Sequence, residues 1–279
     1  MVTLNQISNR IGDIRSFRGL LEVYEDLAAQ KMQDIRGEIS QYREYSRTLT
    51  AISSDLGEDI SIVIKKNTKQ RAAVLISSDR GLYGNAFDAV SNRFYQYLSG
   101  KKVDAFVVGN VGDEIMKASR PAVKYQTVKT DERSLAELWK SLAEYQEINI
   151  YFLRYDSLAK QSADTVRISG DLVPKDTTSF EYDENNKLRY LYEPSVLEVA
   201  EVFAKEVLSF LSEQTMKEAN LAKYAARLMY LDSCLERNSE SLSATLKQKM
   251  ILTKRLANKR QNARMASYLT INRSNQYAQ

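Results

Sequence analysis

From Leu4 onward, apolar residues return every three or four positions: Ile7, Ile11, Ile14, Phe17, Leu21, Tyr24, Leu27 or Ala28, Ile35, Ile39, Tyr42, Leu49 and Ile52. That period predicts a helical arm over residues 1–58, with about fifty residues carrying the stripe, roughly 75 Å at 1.5 Å per residue. A stripe this narrow on a helix this long cannot be buried against a compact domain, so it needs a partner helix. Gly12 and Gly19 each cost about 1 kcal/mol relative to Ala inside a helix. Seven apart, they fall near one face, where they either allow a close helix approach or are tolerated defects.

The partner is expected at the other end of the chain. Glu193-Pro194-Ser195 is a helix start signal, followed by Val196, Val199, Val202 or Phe203, Val207, Phe210 or Leu211, Met216, Ala222, Ala225, Met229, Leu235, Leu242, Leu246, Met250, Leu256 and Ala263. No proline follows Pro194, so a second arm over 194–279 is expected to run for about seventy residues or more. Two helices at opposite ends of a chain, joined by a globular insert, pair antiparallel. If the first arm ends near Leu56 opposite Lys205, pairing over about fifty residues brings Leu4 to Leu256. About twenty residues of the second arm are then left over. Arg260 to Ile271 is expected to project beyond Met1 as a single helix, the alternative being a frayed tail.

Between the arms, over 70–192, the period changes. Ala72 to Ile76, Ala105 to Val108 and Ile148 to Leu153 are strand-like runs, separated by helix-like segments around Ala86 to Leu98 and Ser134 to Tyr145. Such alternation predicts an α/β layer with a largely parallel sheet. Val166-Arg167-Ile168 and Leu188 to Tyr192 are candidate edge strands, and the polar, acidic Pro174 to Lys187 is a candidate surface loop.

Composition narrows the chemistry. The 279 residues are 43% hydrophobic and 27% charged, ordinary for a soluble protein of one or two domains. Histidine is absent and Cys234 is the single cysteine. This excludes a Ser/His/Asp triad, a Cys/His pair, a histidine metal site and an internal disulfide. Cys234 falls in a helical apolar pattern, where a small seam residue is the ordinary reading. Without an apolar run long enough to span a membrane or a signal-peptide pattern, the chain reads as soluble and in a reducing compartment. The net charge of +4 is too small to indicate nucleic acid by itself. After Glu240, however, no acidic residue occurs, while Lys247, Lys249, Lys254, Arg255, Lys259, Arg260, Arg264 and Arg273 do.

The loop Ser77-Ser78-Asp79-Arg80-Gly81-Leu82-Tyr83-Gly84 leaves the strand Ala72 to Ile76 and leads to a helix. Backbone amides there could hold phosphate, but two glycines without a Lys-Ser/Thr pair fit neither a P-loop nor the dinucleotide fingerprint. A structural turn is therefore expected at Ser78, Asp79, Arg80, Gly81 and Gly84, with Asp79 and Arg80 capping the helix or pairing with neighbours.

Taken in chain order, these segments resemble the gamma subunit of F-type ATP synthases. Leu4 to Ile14 and Leu27-Ala28-Ala29-Gln30-Lys31-Met32 are similar to that family's opening helix, with its Ala-Ala-x-Lys-Met run. Ser77 to Gly84 matches the family loop except that Tyr83 replaces its usual Cys. Tyr190 to Pro194 resembles the lead into the family's last helix, and Ala225-Ala226-Arg227-Leu228 falls where that helix carries Ala-Ala-Arg-Met. Departures are equally specific. Asn85 and Phe87 stand where Gly and Asn are usual, and Gly19-Leu20-Leu21-Glu22 replaces a Lys-Ile-Thr-Lys stretch. Asn258-Lys259-Arg260-Gln261 is the nearest candidate for an Asn-Lys-x-Arg-Gln motif, and it needs an insertion of about seven residues, which keeps the heptad register.

The resemblance implies an antiparallel two-helix coiled coil carrying a central α/β, Rossmann-like domain, with no catalytic residue, cofactor or metal of its own. It implies a rotor shaft turning inside a hexamer of alpha and beta subunits, with its foot on an epsilon-type subunit and the membrane c-ring and no direct membrane insertion. The expected site is peripheral, on the cytoplasmic face of a bacterial plasma membrane or the matrix face of the inner mitochondrial membrane. Ile7, Arg10, Ile11, Lys247, Lys249, Lys254, Arg255, Arg260, Arg264, Tyr268 and Leu269 are the expected hexamer contacts. The basic ones would face acidic lever loops of the catalytic subunits, the competing reading being a solvated helix face. Two other classes remain. A nucleic-acid-binding coiled coil predicts salt-dependent DNA or RNA affinity, and an α/β enzyme with helical dimerisation arms predicts a polar, ligand-sized pocket beside Asp79.

Overall fold

A computed structural model describes the backbone of residues 3–65, 69–119, 123–169, 193 and 195–276, and their side chains other than those of 39–41, 43–65 and 268–276. The chain runs α1 (Leu4–Lys65), β1 (Lys69–Ile76), α2 (Asp88–Leu98), β2 (Asp104–Val108), α3 (Asn110–Ser119), β3 (Gln126–Val128), α4 (Glu132–Leu142), β4 (Tyr145–Tyr155), β5 (Gln161–Ser169) and α5 (Val196–Gln276). It divides into two compact units, Met1–Leu27 with Leu231–Gln279, and Ala28–Tyr230.

In the larger unit the strands lie in the order β3-β2-β1-β4-β5. β1 pairs parallel with β2 and β4, β2 pairs parallel with β3, and β5 closes the other edge antiparallel to β4. Parallel neighbours need crossover helices, so both faces of the sheet become covered and β1 reads as an unbroken apolar run rather than an alternation. Alternate residues Ala72, Val74 and Ile76 face a layer with Leu138 and Leu142 of α4 and Leu208 and Ala219 of α5. Ala73 and Leu75 face Val90 and Phe94 of α2 and Met116 of α3. α5 contributes Ala222 and Ala226 to this second layer as well, so it passes from one face to the other at the carboxyl end of β1.

Val166 to Ile168 lies within β5, with Ile168 opposite Ile148. The stretches Pro174 to Lys187 and Leu188 to Tyr192 lie outside the described residues. α3 and β3 have no counterpart among the elements that the hydrophobic pattern predicts. β3 has three residues and none is fully buried, so it carries no apolar run. α3 contains Gly112, which reads as a helix breaker but is demanded by packing: a Cβ there would sit 2.6 Å from Ser77 Oγ.

Within this unit, partners on α5 descend as positions on α1 ascend, so the two helices run antiparallel. Met32 packs with Leu221 and Ala225, Glu38 accepts a 2.7 Å hydrogen bond from Lys217 Nζ, and Tyr42 stacks on Phe210 at 5.8 Å. Tyr42 also donates to Glu213. Burial alone would lower the Lys217 pKa, yet hydrogen bonds to Glu38 and Tyr42 hold it up at about 12.

In the smaller unit α1 begins with a reciprocal cap. Thr3 N donates to Gln6 Oε1 at 2.8 Å, and Gln6 N donates to Thr3 Oγ1 at 3.3 Å. Ile7, Ile11 and Leu21 are buried on α1, and Leu231, Asn238 and Thr245, seven apart, are buried on α5. Asn238 Nδ2 donates to Ile14 O at 3.2 Å. This corrects the expected register. Leu4 against Leu256 would set Ile14 against Leu246, whereas Ile14 faces Asn238, about two helical turns earlier. Both arms are also longer than expected, since α1 continues past Leu56 to Lys65 and α5 begins before Lys205, at Val196.

Two further expectations change. Phe17, Tyr24 and Leu27, placed on the buried stripe by spacing, are 54%, 45% and 50% exposed, and Ala28 rather than Leu27 is the buried alternative. A Cβ at Gly12 or Gly19 would meet nothing within 4 Å, so neither glycine serves a close approach within the chain.

Candidate functional site

The loop after β1 is held from three directions. Ser77 N donates to Val108 O at 2.9 Å, and Ser77 Oγ donates to the same oxygen at 2.6 Å while accepting from Gly112 N at 2.9 Å. Ser78 O receives Val111 N at 2.8 Å, and Ser78 Oγ donates to the Tyr83 hydroxyl at 2.9 Å. These bonds tie the exits of β1 and β2 together. They require the backbones to approach at Gly109, whose φ of +92° suits glycine and where a Cβ would stand 2.8 Å from the Ser78 carbonyl carbon.

From the other side α5 clamps the loop. Arg227 Nη2 donates to Gly81 O at 3.0 Å, and its guanidinium lies 4.7 Å from the centroid of the Tyr83 ring, a cation–π arrangement. Tyr83 is buried and meets Phe87 edge to face at 5.5 Å. Burial pushes its phenol pKa up, opposed by the Ser78 hydrogen bond. Gly84 takes a φ of +58° beneath the ring of Tyr230. Arg80 is exposed, and Asp79 receives the Thr130 hydroxyl. Neither Asp79 nor Arg80 caps α2, which starts later, at Asp88, after the N-cap Phe87 without a side-chain cap bond. The helix start expected near Ala86 is displaced because residues 84–87 form turns instead.

The bonds to β2, α3 and α5 hold the loop as a structural connection, and Asp79 does not line the groove between α4 and α5. Among the described residues no carboxylate or cysteine cluster could hold a metal ion, and no helix is long and apolar enough to cross a membrane. What the loop can do chemically is transmit force between the sheet and α5.

The expected partner contacts divide. Ile7 and Ile11 are only 7% and 5% exposed, which uses them up inside the smaller unit and removes them from any outer surface. Arg10, Lys247, Lys254, Arg255, Arg260 and Arg264 are exposed, and Lys249 is half-buried. The side chains of Tyr268 and Leu269 lie outside the described residues. A second surface was hidden in the sequence. Phe17, Leu20, Tyr24 and Leu27 recur at helical spacing and are all exposed, forming an apolar stripe beside the buried one. Its signal was the adjacent apolar pairs Leu20-Leu21 and Leu27-Ala28, seven apart, which place residues on two faces and not on one.

Comparison with known proteins then bears on this framework. A family model described as ATP synthase matches residues 3–257. The ATP synthase gamma chain of Christiangramia forsetii is 24% identical over 258 residues, covering 86% of this chain and 88% of that protein. The ATP synthase gamma chain of an Anaeromyxobacter species is 26% identical over 268 residues, covering 88% and 91%. Among solved structures, a central stalk chain of Tetrahymena thermophila mitochondrial ATP synthase aligns with a TM-score of 0.57 at 14% identity, over 77% of this chain and 99% of that one. A rotor chain of Euglena gracilis mitochondrial ATP synthase aligns with a TM-score of 0.53 at 17% identity, over 89% and 99%. These structural likenesses concern the fold.

Proposed function

The chain belongs to the ATP synthase family, in which it is the gamma-type central rotor shaft, and we propose how that shaft is built and what it touches. It is not itself catalytic; the enzyme is the complex. α1 and α5 form an antiparallel coiled coil, supported by buried positions at heptad spacing on α5 and by the descending order of α5 partners. The five-stranded unit is a Rossmann-like domain, whose strand order fits, and whose switch point is covered by α5 rather than by a nucleotide.

The coil turns within a hexamer of alpha and beta subunits while the foot joins an epsilon-type subunit and the c-ring. The complex lies peripherally on the cytoplasmic face of a bacterial membrane, or the matrix face in an organelle, and couples proton or sodium flow to ATP synthesis or hydrolysis. An asymmetric shaft biases otherwise equivalent catalytic sites into different states by touching each differently. In the observed register α1 begins opposite Gln248, so α5 continues about 28 residues, or roughly 42 Å, beyond it. Arg260 to Ile271, with Tyr268 and Leu269, lies in that extension and is the segment that enters an apolar axial sleeve. Lys247, Lys249, Lys254 and Arg255 sit where the extension begins and face carboxylates of the catalytic subunits, with Arg10, Arg260 and Arg264 as further contacts. Ser78, Asp79, Arg80, Gly81 and Gly84 form a structural loop that holds α5 to the sheet.

The observation that carries this reading is the family match across residues 3–257, with relatives covered over about nine-tenths of their length. The test is reconstitution. The purified chain should hydrolyse no ATP alone, and a mixture of alpha and beta subunits should gain ATPase activity when it is added. Turnover by the isolated chain that disappears on changing Asp79 or Arg80 would refute the shaft.

A further inference from the structure

A groove of about 1240 Å³ runs between α4 and α5 in the larger unit. Leu135 and Trp139 of α4 and Leu208 and Met216 of α5 line its apolar walls. At the end near the carboxyl edge of the sheet it is lined by Ser77, Thr130, Asn220 and Lys223.

Most charges along the groove are already matched. Lys217 pairs with Glu38 and Glu213, Lys205 with Glu201, and Glu144 with Lys69. Glu132 and Lys140 of α4 stand at its rim. Lys223 differs. It is half-buried, its Nζ donates to the neutral Asn220 Oδ1 at 2.6 Å, and it lies 5.2 Å from the Tyr224 ring centroid. It forms no ion pair among the described residues. Of the charged groups that act on it, Arg227 repels its proton and Asp79 retains it. An ammonium removed from water and answered by one amide is costly, and an anion arriving from outside relieves that cost. Met216 lies seven residues before Lys223 on α5, about 10 Å along the helix, so apolar wall and cation are one small molecule's length apart.

We propose that this groove binds a small amphiphilic anion, a phosphate monoester or a carboxylate on an aliphatic or aromatic body, with its head group on Lys223 and Asn220 and its body between Leu135, Trp139 and Met216. Pockets of this kind are mostly apolar with a few placed polar groups that fix orientation. Binding is coupled to protonation. Burial, the largest cause, and Arg227 push the Lys223 pKa down to about 8 in the empty groove. An anion beside it stabilises the charged form, so affinity is full below that pH and is lost above it.

Trp139 is the single tryptophan and lines the groove, so its fluorescence reports occupancy. The full-length chain is titrated with hexanoate, hexyl phosphate and, as neutral control, 1-hexanol. Both anions are expected to change Trp139 emission saturably and hexanol is not, the tighter anion identifying the head group. Hexanoate keeps its charge between pH 7 and 9.5, and its affinity should fall about ten-fold or more across that range. Lys223→Met should abolish the preference for anions, and Lys223→Arg should retain it at pH 9.5. An equal response to hexanol, a pH-independent hexanoate affinity, or no response to either anion at millimolar concentration would overturn the proposal, and each can be read on the unaltered protein.

Discussion

Replacing Asn238 with Leu should strengthen the smaller unit while loosening its register. Asn238 is 8% exposed, donates one hydrogen bond to Ile14 O, and leaves its Oδ1 buried without a partner. Removing that unpaired oxygen recovers about 1–3 kcal/mol, and the lost hydrogen bond costs about 1 kcal/mol. Burying a leucine in its place gains about 1.5–3 kcal/mol. Ile14 O sits inside α1, where the helix still supplies a donor, so no new orphan is created. Together these come to about 1.5–5 kcal/mol, and strain from fitting the leucine, about 1–3 kcal/mol, lowers the net expectation to a gain of about 1–3 kcal/mol. Hydrogen exchange across residues 4–27 is the appropriate assay, because it reads local opening rather than global unfolding. Protection should rise by roughly 5- to 150-fold in Asn238→Leu. A buried polar residue at such a position fixes register at a cost in stability. In a Cys234→Ser background, cysteines replacing Ile7 and Thr245 should therefore crosslink cleanly when Asn238 is present and less selectively when it is Leu. Protection that falls or stays level would refute the reasoning.

Other outcomes rest on single features. Gly12→Ala and Gly19→Ala meet open space, so each should raise stability by up to about 1 kcal/mol in denaturant unfolding. Reversing Lys247, Lys249, Lys254 and Arg255 together should weaken assembly or slow turnover in a salt-sensitive way; single reversals should do little, since exposed pairs contribute about 0–1 kcal/mol. The Lys223 pKa falls on folding from 10.5 to about 8, so the unfolded chain binds the extra proton between those values. Unfolding free energy should then rise with pH from 8 toward 9.5, by at most about 2 kcal/mol, and Lys223→Met should flatten that slope.

The sequence made the larger pieces legible where one physical rule dominated. Five consecutive apolar residues at 72–76 mean a strand buried on both faces, and the absence of proline after Pro194 permitted an 81-residue helix. It failed where two rules competed. Gly112 looks like a breaker until Ser77 Oγ is seen beneath it. Phe17, Tyr24 and Leu27 belong to a second face that spacing alone merged with the first. Register was misjudged because it was extrapolated from assumed helix ends, whereas it is set by which groups meet along the helices, as Asn238 Nδ2 meets Ile14 O. For the loop, the glycines and serines were visible, but the Arg227 clamp joins positions 146 residues apart, which no local pattern encodes.

The central claim is that this chain turns inside a catalytic hexamer. The direct measurement fixes a hexamer reconstituted with the chain to a surface, attaches a visible probe through a cysteine at the exposed Lys102 in a Cys234→Ser background, and records the probe while ATP is hydrolysed. The account predicts unidirectional rotation in three steps per turn that stops when ATP is removed, and ATPase activity that is lost when the chain is omitted. A stationary probe on an active hexamer, or activity indifferent to the chain, would contradict it.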